Sequence, residues 1–209
     1  MRPPRPEQLS VEGAAGVLEA VAEDPASAGA HYAVICHPHP LFGGTMDNKV
    51  VTSVSRALND CGVPTLRFNF RGVGASAGAY DEGRGESDDA AALADYGAKR
   101  WEGRSLIAAG FSFGGMVALR LAQRRPAAHL IAVAPAVTRF EGEPGPRPAC
   151  PITIIQGDAD DVIDPKAVIA WAESLSPPPQ LMVLRGVGHF FHGRLAELRE
   201  AVVAAIRNG

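Results

Sequence analysis

Short apolar runs alternate with amphipathic helical patterns along most of the chain. The first clear pair is an apolar run over 31–36, typical of a buried strand, and a segment over 47–61 whose apolar residues recur at helical spacing. The same two patterns repeat toward the C-terminus. They predict further strands at 63–68, 105–111, 129–134, 152–155 and 180–184, and further helices at 86–101, 114–124, from Pro165 and at 194–207.

Strands that alternate with helices predict an α/β fold, with a mainly parallel central sheet flanked by helices on both faces. Two earlier segments, 8–12 and 16–22, predict an antiparallel edge. The 209 residues fit one domain, 1–209, with loose first residues. Because such sheets bind ligands beyond the carboxyl ends of their strands, we expect the chemistry in the segments that follow strands.

The composition narrows the possible partners. The chain is 46% apolar with a formal net charge of −3, so it offers no basic footprint for nucleic acid or anionic lipid. Its three cysteines, Cys36, Cys61 and Cys150, form no CxxC pair, which argues against disulfides and structural zinc. No apolar run approaches the ~18 residues of a membrane span, and no secretory signal is recognisable. We expect a cytoplasmic monomer or homodimer with no cofactor and no metal.

A G-x-S-x-G motif at 110–114 lies between a predicted strand and a predicted helix. A sharp strand-to-helix turn exposes the serine oxygen, and the helix N-terminus directs its positive end at a developing oxyanion. The alternative is an ordinary glycine-rich turn, but the strand–helix context favours the functional interpretation. The motif therefore predicts Ser112 as a nucleophile.

A serine nucleophile needs a histidine base and an acid that orients the histidine. When the serine lies on a turn between a strand and a helix, the chain order is serine, acid, histidine. His189 comes directly after the last predicted strand and is favoured over His192, which lies at the opening of the last helix. The acid lies on the turn after the strand at 152–155. Spacing alone leaves Asp158, Asp160 and Asp161 open, because Asp164 precedes a proline and is interpreted as a helix cap.

An oxyanion hole combines the N–H group after the nucleophile, here that of Phe113, with one from an earlier loop. That loop is the segment 37–44, whose two prolines have no N–H to donate. His39 and Leu41 remain as candidate donors. We interpret the His37 side chain as a loop anchor.

Taken together, these segments resemble the small, lidless bacterial α/β-hydrolases related to dienelactone hydrolases, over nearly the whole chain. The resemblance rests on 37–46, 68–76, the serine turn, the aspartate turn and 188–191. It implies an α/β-hydrolase fold, and only 135–149 stand where relatives insert a cap domain, so no cap is expected. Its G-x-x-D-x-V pattern selects Asp160, and its loop position favours His39 over Leu41. Dienelactone hydrolases use a cysteine nucleophile, so Ser112 favours esterase-type chemistry.

The resemblance implies a serine hydrolase that cleaves a small carboxylic ester or thioester through an acyl-enzyme. An uncapped site would be open to water, and several phenylalanines are candidates to line an apolar substrate pocket, although each is more often a core residue. They are Phe42, Phe113, Phe140, Phe190 and Phe191. The alternatives are a non-catalytic binding protein on the same fold and a small-amide or peptide hydrolase.

A G-x-G-x-x-A pattern at 72–77 also follows a predicted strand. A dinucleotide site would require a helix to open at once, so that its N-terminus holds the pyrophosphate. The segment 78–85 that follows is typical of a loop instead. We therefore expect it to form a wall of the active site and to bind no cofactor.

Overall fold

The computed structural model describes residues 6–27, 29–140 and 145–208. Residues 1–5, which belong to the first residues expected to be loose, lie outside the described residues. The strands are β1 (Pro6–Gly13), β2 (Gly16–Glu23), β3 (His31–Cys36), β4 (Thr65–Phe68), β5 (Ser105–Phe111), β6 (Ala127–Val133), β7 (Ile152–Gly157) and β8 (Gln180–Leu184). The helices are α1 (Lys49–Asp60), α2 (Arg84–Arg100), α3 (Phe113–Arg124), α4 (Pro165–Ser174) and α5 (Leu195–Asn208).

The strands form one sheet in the order β1-β2-β4-β3-β5-β6-β7-β8. The six strands β3 to β8 are parallel to one another. Strand β1 pairs antiparallel with β2, and β2 pairs antiparallel with β4. This confirms the mainly parallel sheet and its antiparallel edge.

Helices cover both faces of the sheet, as predicted. On one face, α2, α3 and α4 enclose a core that includes Leu93, Val117 and Val168. On the other face, α1 and α5 enclose a second core that includes Val54 and Val202. Because the helices cover the faces of the sheet, a site can form in the loops at the carboxyl ends of the parallel strands.

Local capping explains where the helices begin. Helix α1 starts at Lys49 because the Asn48 side chain accepts the Val50 N–H at 2.8 Å. Asp164 caps α4 by accepting the Lys166 N–H at 3.0 Å, which confirms its interpretation as a cap.

Two linkers bear on the function. Between β6 and β7, the described residues contain no helix, so the expectation of no cap domain is confirmed. After β4, no helix begins before Arg84, so the G-x-G-x-x-A segment lacks the geometry of a dinucleotide site.

Within the described ranges, no helix combines the length and the apolar character needed to cross a bilayer.

Candidate active site

Ser112 occupies a strained turn between β5 and α3, with φ 56° and ψ −118°. The Ser112 N–H donates to the Val133 carbonyl at 2.8 Å, and its own carbonyl accepts the Gly115 N–H at 2.9 Å. A Cβ at Gly110 or Gly114 would collide with neighbouring backbone carbonyls, so the two motif glycines are required by close packing. The turn thus holds the serine side chain at the carboxyl end of the sheet.

His189 joins the serine to a carboxylate. Its Nε2 atom lies 3.2 Å from Ser112 Oγ, and its Nδ1 atom lies 2.8 Å from Asp160 Oδ2. Since a carboxylate can only accept, Nδ1 carries the proton and Nε2 presents its lone pair to the serine hydroxyl. The His189 side chain is 3% exposed, so the contact is shielded from water.

Asp160 has both carboxylate oxygens occupied by donors. Oδ1 accepts the N–H groups of Val162 and Ile163 at 2.9 and 2.7 Å, and Oδ2 accepts from His189 and from Gln156 Nε2 at 3.1 Å. Burial acts to raise the pKa of Asp160, but the hydrogen bonds from His189 and the two backbone N–H groups outweigh it and lower the pKa. The carboxylate is therefore held in its ionised form.

The other two candidate acids face elsewhere. Asp158 accepts the Gly186 N–H at 2.6 Å, and Asp161 is exposed. The structure thus brings Asp160 to His189, the aspartate that the resemblance selects.

The loop that follows β3 supplies N–H groups near the serine turn. Within the described ranges, no hydrogen bond engages the backbone N–H of Phe113 or that of His39. The Leu41 N–H, in contrast, donates to His39 Nδ1 at 3.2 Å. Of the two predicted donors, Leu41 therefore has its N–H engaged within the loop, whereas no hydrogen bond among the described residues engages the N–H of His39.

The two loop histidines are held as neutral rings. His37 is fully buried, accepts the Phe70 N–H on Nε2 at 3.0 Å and donates from Nδ1 to the Pro38 carbonyl, which confirms the loop-anchor interpretation. Burial lowers the pKa of His37 to about 4 and also lowers the pKa of His39. His39 Nε2–H points to the Tyr80 hydroxyl at 3.2 Å, because its Nδ1 atom accepts the Leu41 N–H.

The predicted aromatic pocket needs correction. Phe191 is fully buried in the core between the sheet and α1 and α5, so it does not line a substrate pocket. Phe140 and Phe113 are 8% and 3% exposed, and they pack against each other within the opposite core. Phe42 and Phe190, in contrast, are 84% and 45% exposed.

The exposed side chains form an apolar rim, defined here as Leu41, Phe42 and Phe190. The Phe42 ring lies 4.7 Å from the His39 ring, and the Phe190 ring lies 5.0 Å from the His189 ring. Leu41 is 67% exposed on the same loop as Phe42. The rim side chains therefore lie on the two loops that carry His39 and His189.

Two side chains at the site carried no motif in the sequence. Gln156, near the end of β7, contacts Asp160, and Tyr80, in the loop before α2, contacts His39. In the sequence, the only indication that these two residues belong to the site is that each lies in a segment at the carboxyl end of the sheet. His192 is exposed, and its ring lies 5.8 Å from the Phe190 ring.

A family model described as serine aminopeptidase, S33, matches residues 34–146, which is more than half of the chain. The chain belongs to this family of α/β-hydrolases. A serine hydrolase homologue from Coxiella burnetii is 43% identical, with a TM-score of 0.91, and the match covers 95% of this chain and 96% of that one. A serine hydrolase without a lid from Xanthomonas campestris is 39% identical, with a TM-score of 0.93 and coverage of 100% and 96%.

An uncharacterised protein of Rickettsia prowazekii is also similar to this α/β-hydrolase. It is 35% identical over an alignment of 205 positions, which covers 93% of this chain and 86% of the relative. These similarities place the chain among lidless α/β serine hydrolases and support hydrolase activity. The relationship to dienelactone hydrolases in particular stays a prediction.

Proposed function

We propose that this α/β-hydrolase cleaves small carboxylic esters or thioesters through an acyl-enzyme on Ser112. The observation that carries the proposal is the His189 ring, which lies within hydrogen-bond distance of both Ser112 Oγ and Asp160 Oδ2. A non-catalytic binding protein would have no need of a strained serine turn joined to a base and an acid in this way.

The proposed reaction begins when Ser112 Oγ attacks the substrate carbonyl and His189 Nε2 takes the hydroxyl proton. Asp160 stabilises the imidazolium that forms. The Phe113 and His39 N–H groups donate to the oxyanion, each contributing about 3 kcal/mol to transition-state stabilisation. The tetrahedral intermediate then collapses with cleavage of the scissile C–O or C–S bond, and the imidazolium protonates the departing oxygen or sulfur. In the second half-reaction His189 takes a proton from water, which attacks the acyl carbonyl; the bond to Ser112 Oγ breaks, Oγ receives that proton, and the acid is released.

The apolar rim bears on the substrate. Leu41, Phe42 and Phe190 are exposed on the loops that carry His39 and His189, so an ester with a modest alkyl or aryl group could cover apolar surface that is otherwise in water. We therefore expect uncharged, apolar groups next to the scissile carbonyl to be favoured.

A fluorophosphonate probe and a substrate panel test the proposal. The panel contains p-nitrophenyl esters and acyl-CoA thioesters of increasing chain length, with aminoacyl p-nitroanilides to detect amide or peptide cleavage. We expect labelling and ester turnover in the wild type, with Ser112→Ala unlabelled and its kcat lower by about 10⁶. Folded wild-type protein that neither reacts with the probe nor turns over any member of the panel would contradict it.

A further inference from the structure

Gln156 is a buried amide beside the proposed catalytic acid. It lies on β7, one residue before the strand ends, and its side chain is fully buried. Nε2 donates to Asp160 Oδ2 at 3.1 Å and to the Gly157 carbonyl at 3.0 Å. The Oε1 atom is buried and has no hydrogen-bond partner among the described residues.

The orientation of the amide follows from its neighbours. Rotating it by 180° would place Oε1 against a carboxylate oxygen and a carbonyl oxygen, with no proton between them. A buried carbonyl without a partner destabilises a fold, whereas an apolar side chain of similar length would leave nothing unsatisfied. Folding stability alone therefore does not account for glutamine at this position.

We infer that Gln156 is a positioning residue, which fixes the Asp160 carboxylate in the orientation where Oδ2 receives the His189 Nδ1–H. The inference rests on the proposed function. Two backbone N–H groups hold Oδ1, but His189 is the only other donor to Oδ2 within the described part of the chain. Without Gln156, the carboxylate would retain one fixed oxygen and one oxygen held only by the ring that it must orient.

The effect of Gln156 reaches His189 through Asp160. Asp160 is the charged group that contacts the His189 ring, whose other neighbours are Ser112 and the rings of Phe111 and Phe190. On the same turn as Asp160, Asp158 is bonded to the Gly186 N–H and Asp161 is exposed. A change at Gln156 thus alters how the Asp160 carboxylate is held against the imidazole, without adding or removing an ionisable group.

Gln156→Met tests the inference, because it keeps the length of the side chain and removes both N–H donors. We expect kcat for the best ester to fall about tenfold with KM unchanged, since substrate does not contact this residue. Gln156→Leu should behave in the same way. Gln180→Met, which alters a glutamine on the neighbouring strand β8, is the matched control and should retain wild-type kcat.

A second measurement needs no turnover. The Nδ1–H resonance of the His189 ring, assigned by its loss in His189→Ala, is compared by NMR in the wild type and in Gln156→Met. With one donor fewer on Asp160, the carboxylate is free to turn away from the ring, so this proton should exchange faster with water and its resonance should broaden. A broadened resonance in protein that turns over no ester would support the inference while the proposed function fails.

Two outcomes overturn the inference. The first is a folded Gln156→Met variant with wild-type kcat and an unchanged His189 Nδ1–H resonance. The second is a large loss of stability in both the Met and Leu variants, since the amide would then support the fold itself.

Discussion

Phe190 and Phe191 are consecutive in the chain, yet the first is 45% exposed beside the His189 ring and the second is fully buried between the sheet and α1 and α5. Phe191 has φ 53°, and its N–H donates to the Gly188 carbonyl at 3.1 Å. The left-handed backbone turns its side chain into the core and closes a tight turn around His189. One residue therefore anchors the turn while its neighbour is exposed beside the His189 ring.

Substituting each phenylalanine separates these two roles. Phe191→Ala should lower the free energy of unfolding by about 3–5 kcal/mol, because it leaves a cavity in the core. Phe190→Ala should leave stability nearly unchanged and raise KM about fivefold for a hexanoyl ester, with little effect on an acetyl ester. Urea denaturation and steady-state kinetics provide the two readouts. Equal destabilisation by both changes would contradict the assignment.

A matched pair of aspartates tests the choice of acid. Asp160→Asn should lower kcat by about 10⁴, because an amide donor at this place would disfavour the tautomer in which His189 carries its proton on Nδ1. Asp158→Asn keeps an oxygen for the Gly186 N–H and should leave kcat unchanged. Rates of p-nitrophenyl ester hydrolysis decide between them. A larger loss of kcat in Asp158→Asn than in Asp160→Asn would reverse the assignment.

The fold was predictable because buried parallel strands have the distinctive pattern of short apolar runs. The expected strand at 152–155, for example, is β7, which extends two residues further to Gly157. The boundary at Arg84 was missed by two residues, because helix α2 begins early where the Glu86 carboxylate accepts the Gly83 and Asp81 N–H groups. Such capping depends on side-chain direction, which apolar periodicity does not report.

The site was only partly predictable for a related reason. Ser112 and His189 each follow a strand, so the topology alone brings them to the same edge of the sheet. Asp158, Asp160 and Asp161 share one turn, and only its three-dimensional path decides which carboxylate meets the histidine. Gln156 lies just beyond the predicted strand at 152–155, and nothing in the sequence pattern reveals its contact with Asp160.

The loop after β4 is fixed by a buried ion pair. The Arg71 guanidinium and backbone N–H both donate to Asp89, whose side chain is fully buried on α2. Asp89→Ala should lower the free energy of unfolding by about 3–5 kcal/mol, because it leaves a buried charge without its partner. Asp88→Ala removes an exposed pair with Arg124 and should cost at most about 1 kcal/mol. Similar losses in both variants, measured by urea denaturation, would exclude a structural role for the buried pair.

His37 should make the fold sensitive to mild acid. Its pKa is about 4 in the folded protein against 6.5 ordinarily, because burial disfavours the charged ring. Between these values the unfolded chain binds a proton that the folded protein does not, so stability is complete above pH 6.5 and falls as the pH decreases toward 4. The loss attributable to His37 between pH 6.5 and 5 is about 2 kcal/mol. Urea denaturation at several pH values should show this slope in the wild type and in His192→Gln, which alters an exposed histidine, but reduced in His37→Gln. An identical slope in all three proteins would mean that the His37 ring titrates in the folded state as it does in the unfolded chain.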